Sequence, residues 1–356
     1  MTKRIGVVFP GYGEQFIGMG KDLYDQLRTV QEFFEQAAGV VDINFVKLCF
    51  ASSDEEISSI KNAYLAIYLY ECSLYEIMRQ KGLRADFIAG YGIGEYASCF
   101  AAESLSFIDG MYFINKYAHF YDDFVKSKKD YTVLRITRGF TKESLQSLID
   151  SLVDQSMTAY IAAQNGLNSF YVAGDKKVIK KIQEYCRSHV IRKVKDVGPA
   201  YGMYGSVMNE IADQLQLYYH KITFKPLQTP VITNVDGVYV TTADALQSAM
   251  MRKVNNQIQW FDVMQGFEGC DIVISVGPGN QLIEWFKEFY PDKEYFSIMT
   301  LKDIESIAHL FYVEPMVEPI VESIETAQEN QPKDLHEADL INELSSDYDV
   351  EQDDEE

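Results

Sequence analysis

Apolar residues in this 356-residue chain gather into short continuous runs separated by longer stretches with helical spacing. Residues 4–9 (RIGVVF) stop at Pro10 and Gly11, which predicts a strand feeding a loop. A helix is predicted from about Gly20, and a second, dense in Leu, Ile and Tyr, over residues 60–80. The run FIAG at 87–90 reads as another strand, with a helix opening at Glu95, and residues 107–124 read as a further helix. The rhythm then changes. Residues 131–136, 159–163, 170–173 and 191–197 read as strands, and 141–153 and 175–186 as helices. That β-α-β-β-α-β order predicts a ferredoxin-like unit. Strands at Val231 and Ile272 follow, and a VGPG turn at 276–279 lets backbone approach closely.

The pattern predicts an α/β protein: a large domain with a mainly parallel sheet over residues 1–130 and 198–312, and a small subdomain at 131–197. From 313 onward Pro, Glu, Asp, Ser and Gln replace the aromatics, so residues 313–356 are expected to be an acidic disordered tail. Leu335, Leu340, Ile341 and Leu344 make a small apolar stripe in it, which reads as part of a solubilising tail or as a motif that folds on a basic partner.

Charge sharpens this division. Residues 314–356 hold 16 acidic side chains against Lys333, a net −15 of the chain's −21, which leaves an ordinary −6 for the body. Such a balance argues against nucleic acid as a partner. A basic cluster at Lys176, Lys177, Lys180, Lys181, Arg187, Arg192, Lys193 and Lys195 reads either as a solvated helix face or as a docking surface for an acidic partner. It is also a candidate for a salt-sensitive contact with the tail. No run approaches the roughly 20 apolar residues of a membrane span. Cys49, Cys72, Cys99, Cys186 and Cys270 have no metal-ligand spacing and read as reduced thiols of a cytoplasmic protein, with neither metal nor cofactor expected.

The most informative motif is Gly90-Tyr91-Gly92-Ile93-Gly94 between the strand at 87–90 and its helix. Strand, tight turn and helix are the setting in which G-x-S-x-G presents a serine hydroxyl. Here the central residue is Gly92, which has no side chain to attack with.

These motifs occur in an order that resembles the malonyl-CoA:acyl-carrier-protein transacylase family. The stretch VVFPGYGEQFIGMGKDLY (7–24) is similar to the family's FPGQGSQ opening followed by GMG and LY, and GYGIGEY to its GHSLGEY. Gln164-Asn165 with VAG at 172–174, YGSVMNEIADQL at 204–215, KITF at 221–224, PVITNVDG at 230–237, Asn256, Gln259-Trp260 and VGPG continue the match. It covers roughly residues 4–300 and implies an acyltransferase-type, α/β-hydrolase-like fold with an inserted ferredoxin-like subdomain. It also implies acyl carrier protein or acyl-CoA as partners. In the family a serine attacks the thioester, a histidine accepts its proton, a glutamine supports the oxyanion and an arginine holds the malonyl carboxylate. Carried over by position, the serine is Gly92, the histidine before it Tyr91, the glutamine Tyr12, the arginine Tyr117 and the base Tyr204.

A phenol with a pKa near 10 is a poor base at neutral pH, and it cannot clamp a carboxylate as guanidinium does. The expectation is a non-catalytic acyl-carrier or acyl-CoA binding or scaffold protein. Its cleft is lined by Tyr12, Tyr91, Gly92, Ile93, Tyr117, Tyr204, Asn165 and Asn256. The tyrosines either plug that cleft or reline it to stack on a flat ligand. The alternative is an active acyltransferase or acyl hydrolase built on other residues, with Ser98 and Ser206 the nearest hydroxyls. His119 lies two residues past Tyr117 and is expected to point away.

Overall fold

The computed structural model describes residues 3–154 and 156–311. The acidic tail expected at 313–356 lies outside the described residues. The first strand, β1 (Ile5–Phe9), is buried at every position, as are β2 (Phe87–Gly90) and β9 (Ile272–Val276). Continuous apolar runs of this kind suit strands covered on both faces. With β7 (Val231–Ile232), β8 (Tyr239–Val240) and β10 (Glu294–Ile298) they form a six-stranded sheet in the order β10-β9-β1-β2-β7-β8. All pairings are parallel except β7 with β8. Neither β8 nor β10 stands out in the sequence, one being two residues long and the other half-polar (EYFSI).

Helix Ile60–Gln80 runs against this sheet with 16 of its 21 residues buried. Apolar residues all round, rather than on one stripe, mark a central helix. Helix Phe107–Ser127 packs beside it, capped by the Ser106 side chain, which accepts from Asp109 N.

The second sheet, order β4-β5-β3-β6, is fully antiparallel: β3 (Tyr131–Ile136), β4 (Ala159–Gly166), β5 (Ser169–Asp175) and β6 (Val194–Asp196). Helices Lys142–Leu152 and Lys176–Ser188 complete the β-α-β-β-α-β unit. Its strands pair in a sheet of their own, but the unit is joined to the large domain by packing and by backbone hydrogen bonds. Leu134, Ile136, Ile161, Phe170 and Val172 face its own two helices, whereas Val133, Ala163, Tyr171 and Ala173 join the core of the large sheet. Gln164 N donating to Ile258 O and Ile258 N donating to Ala162 O sew the seam. No described helix is long and apolar enough to cross a membrane.

Candidate functional site

The turn after β2 is shaped by three glycines with different reasons. A Cβ on Gly90 would lie 2.1 Å from Gly94 O, and one on Gly94 would lie 2.1 Å from Pro10 O. These two positions are closed to any side chain. Gly92 has φ +55°, the left-handed region that glycine enters without strain. A Cβ there would sit 2.9 Å from the Tyr204 hydroxyl, so the phenol occupies the space into which a residue at 92 would project.

Hydrogen bonds hold this turn from three sides. Gly92 N donates to Asn234 Oδ1 at 2.9 Å, and Asn234 Nδ2 donates to Gly90 O. Lys253 Nζ donates to Gly92 O at 2.6 Å and lies 3.1 Å from Glu95 Oε2, whose Oε1 accepts from Asn234 N. Lys253 and Glu95 are 1% and 0% exposed, and the ammonium stands 4.3 Å from the centre of the Tyr96 ring. Burial pushes the Glu95 carboxyl up and the Lys253 ammonium down, and their mutual attraction opposes both shifts.

Tyr91, Ile93, Tyr117 and Tyr204 are all buried, and Tyr12 is half-buried. The phenols divide into two groups. Tyr91 donates to Asn165 Oδ1 at 2.8 Å and packs edge-on against Trp260 and Trp285, each at 5.3 Å. Tyr12 and Tyr117 both pack on Tyr64, at 6.0 and 5.8 Å. Tyr201 joins Tyr12 at 5.3 Å, and Tyr121 lies 6.0 Å from Tyr117. Burial raises the Tyr204 pKa well above its usual value, and the nearby Tyr117 and Tyr91 add to this. Burial likewise raises Tyr117 and, beside Tyr201, Tyr12. These hydroxyls stay protonated at neutral pH.

Asn256 is a correction to the expected lining: it is exposed, and its Nδ2 donates to Arg252 O and Asn255 Oδ1. The helix Ala243–Arg252 ends there, and the residue it sends inward is Lys253. Lys253 was readable as the fourth member of the stripe Leu246, Ala249, Met250, Lys253, where a lysine takes an apolar place. Tyr64, Tyr121 and Glu95 carried no comparable signal, because Tyr and Glu also suit exposed helix faces.

Other nucleophiles are poorly placed. Ser98 Oγ donates to Glu95 O within its own helix, Ser206 is exposed, and His119 is exposed with Nδ1 2.8 Å from Asn115 O. Burial lifts the Cys49 thiol to about 12 and Cys270 to about 11, so neither supplies a thiolate. No group of three or more His, Cys, Asp or Glu suited to a metal occurs among the described residues. The basic cluster is exposed throughout, on helix Lys176–Ser188, on the segment leading into β6 and, at Lys195, on β6 itself.

Residues 7–259 match the acyl transferase domain family, which is well over half of the chain. The chain belongs to this family. Among its relatives, the malonyl CoA-acyl carrier protein transacylase of Bacillus subtilis (strain 168) is 25% identical over 281 residues, covering 78% of this chain and 88% of that one. The enzyme of the same name from Staphylococcus aureus (strain MRSA252) is 24% identical, over 85% and 97%. The transacylase of Coxiella burnetii superposes with a TM-score of 0.82 at 20% identity, over 87% of this chain and 98% of that one. A malonyl-transacylase solved in complex with a type II polyketide acyl-carrier protein superposes at 0.81 and 20% identity, over 86% and 99%. These superpositions support the acyl transferase fold, with its mainly parallel sheet and separate antiparallel sheet. In this acyl transferase domain the turn after β2 carries Gly92 between Tyr91 and Ile93.

Placing a serine on this elbow is expected to weaken the protein. Gly92→Ser forces a side chain into left-handed backbone, at a cost of about 1 kcal/mol. It also pushes on the buried Tyr204 ring. Chemical denaturation checks this beside Gly92→Ala; a serine variant as stable as the parent means that neither the left-handed backbone nor the Tyr204 contact resists a side chain at 92.

Proposed function

We propose that this acyl transferase-family chain is a non-catalytic member that binds acyl carrier protein or acyl-CoA without turning it over. The observation that carries the reading is the Tyr204 hydroxyl standing 2.9 Å from the position of a Cβ on Gly92. Covalent acyl transfer needs a nucleophile and a base within hydrogen-bond reach. Here neither residue supplies one, and the space between them is filled by phenol. Tyr117 at the carboxylate-clamp position carries no charge to hold a malonyl group. The exposed basic face of Lys176, Lys177, Lys180, Lys181, Arg192 and Lys193 fits an acidic carrier protein. A cytoplasmic setting is consistent with the five unpaired cysteines.

The experiment is intact-mass spectrometry after incubation with malonyl-CoA and with acetyl-CoA, beside a transfer assay to holo acyl carrier protein. The expected result is no acyl adduct and transfer no faster than a boiled control. A stable adduct on any side chain, or clear malonyl transfer, overturns the reading. Titration of acyl carrier protein is expected to show salt-sensitive binding that Lys180→Glu with Lys181→Glu weakens at least tenfold.

A further inference from the structure

A free strand edge runs between two cavities in the small subdomain. Strand β6 is last in the order β4-β5-β3-β6, so only one of its sides is paired. Val194–Asp196 pair with β3, flanked by hydrogen bonds from Thr137 N to Lys193 O and from Val197 N to Val133 O. Lys193, Lys195 and Val197 therefore turn their backbone groups to β3, and by alternation Val194 and Asp196 turn theirs outward. Among the described residues no backbone partner outside the ladder meets them. The two faces of β6 open differently. Val194 pairs with Ile136 on the face turned to helix Lys176–Ser188, where a cavity of about 480 Å³ is lined by Cys186, Val190, Ile191 and Val194, with Arg187 and Arg192. Val190 has φ +61°, a strained backbone for a β-branched residue, and its apolar side chain is 67% exposed. Lys195 pairs with Arg135 on the other face. A cavity of about 440 Å³ there is lined by Arg135, Lys193 and Lys195 and, from helix Gln281–Phe289, by Glu284 and Glu288. Among the described residues Arg135, Lys193 and Lys195 form no ion pair, whereas Glu288 is paired with Arg138 at 3.2 Å.

We propose that the edge of β6 binds an extended peptide of alternating acidic and apolar residues, which joins the sheet as a fifth, antiparallel strand. The peptide backbone bonds to Val194 and Asp196, and its side chains supply the selectivity. Residues directly opposite each other in an antiparallel pair share a face. The peptide residue opposite Val194 therefore sends an apolar side chain toward Val190 and Ile191. Those opposite Lys193 and Lys195 bring carboxylates to the unpaired cations on the other face. The same lysines disfavour a second copy of this chain. Two β6 edges paired about Val194 would set Lys193 against Lys195, like charge on like charge. An acidic strand meets no such repulsion. This partner is an extended segment on a strand edge, so the inference goes beyond the folded carrier protein proposed above and does not rest on it.

The full chain is titrated against three fluorescein-labelled peptides, and the anisotropy is read. The first is Ser-Thr-Glu-Ile-Glu-Ile-Ser, the second has lysine for both glutamates, and the third is the first with both isoleucine amides methylated. The expected result is saturable binding of the first, weakened by salt, and at least tenfold weaker binding of the other two. Val194→Pro removes the outward amide and leaves the bonds to β3 in place, since proline is tolerated on an edge whose N–H faces solvent. It is expected to weaken the first peptide at least tenfold. Should that variant fail to fold, Lys195→Glu, on an exposed side chain, is expected to do the same. Four outcomes overturn the proposal: no saturable change at millimolar peptide, equal binding of the lysine peptide, equal binding of the methylated peptide, or folded variants that bind as the parent does. Sedimentation of the chain alone gives a fifth, a dimer that Val194→Pro abolishes, which would assign the edge to a second copy. Acyl carrier protein is titrated beside the peptides, and Val194→Pro is expected to leave its binding unchanged, so failure of one reading leaves the other standing.

Discussion

Replacing Lys253 with methionine is expected to destabilise the protein by about 3–5 kcal/mol, the range for removing one partner of a buried ion pair. The loss has two parts. Glu95, fully buried, keeps its carboxyl without a counter-charge, and Gly92 O loses the donor that now reaches it at 2.6 Å. Combining Lys253→Met with Glu95→Gln should recover a large share, since glutamine still offers an oxygen to Asn234 N and carries no charge. Urea denaturation of the two single variants and the double variant forms the cycle that separates these parts. A single Lys253→Met variant within about 1 kcal/mol of the parent would show that water reaches Glu95.

The second large effect is a dependence on pH that one residue dominates. Glu71 is fully buried in helix Ile60–Gln80, and neither of its carboxylate oxygens has a hydrogen-bond partner among the described residues. Burial raises its pKa well above the usual carboxylate value, so the folded protein holds this proton more tightly than the unfolded chain. A raised folded pKa fixes the sign. The contribution to stability is fully present below the unfolded value of about 4.3 and is lost as pH rises toward the folded value. The slope reaches at most about 1.4 kcal/mol per pH unit. Glu71→Gln should remove that slope, so the variant gains on the parent between pH 5 and pH 8. If the stability difference between the two proteins is the same at both pH values, Glu71 is not held neutral by the fold.

Much of the fold was legible because its signals are local. Helix Ile60–Gln80 and strands Phe87–Gly90 and Tyr131–Ile136 lie where the apolar runs begin and end. Strand β6 is shorter than the run at 191–197, because Arg192 and Lys193 sit in the approach to the sheet and only Val194–Asp196 pair with β3. The site was legible only in part. Glycine at 92 and tyrosine at 204 can be read from motif order, but the meeting of a hydroxyl with the space beside Gly92 depends on two segments more than 100 residues apart. Lys253 was missed for the opposite reason. A lysine near a helix end ordinarily belongs to solvent, which outweighs its place on the apolar stripe of Leu246, Ala249 and Met250, and its packing against Glu95 and the Tyr96 ring shows it buried. Asn256 follows the family order yet turns outward, since a shared letter at a helix end does not determine which way the side chain leaves it.

The two-residue strand β8 bears on how copies of this chain can meet. A sheet grows where its outermost strand offers a long row of free amides and carbonyls. Here that strand runs opposite to its neighbours, pairs through Val231–Val240 and Ile232–Tyr239, and gives way to the helix beginning at Ala243. An incoming strand would find room for only a ladder bond or two beside so short a strand. At this border the large sheet is closed to extension, and copies of the chain that meet here have to do so through side chains rather than by adding strands.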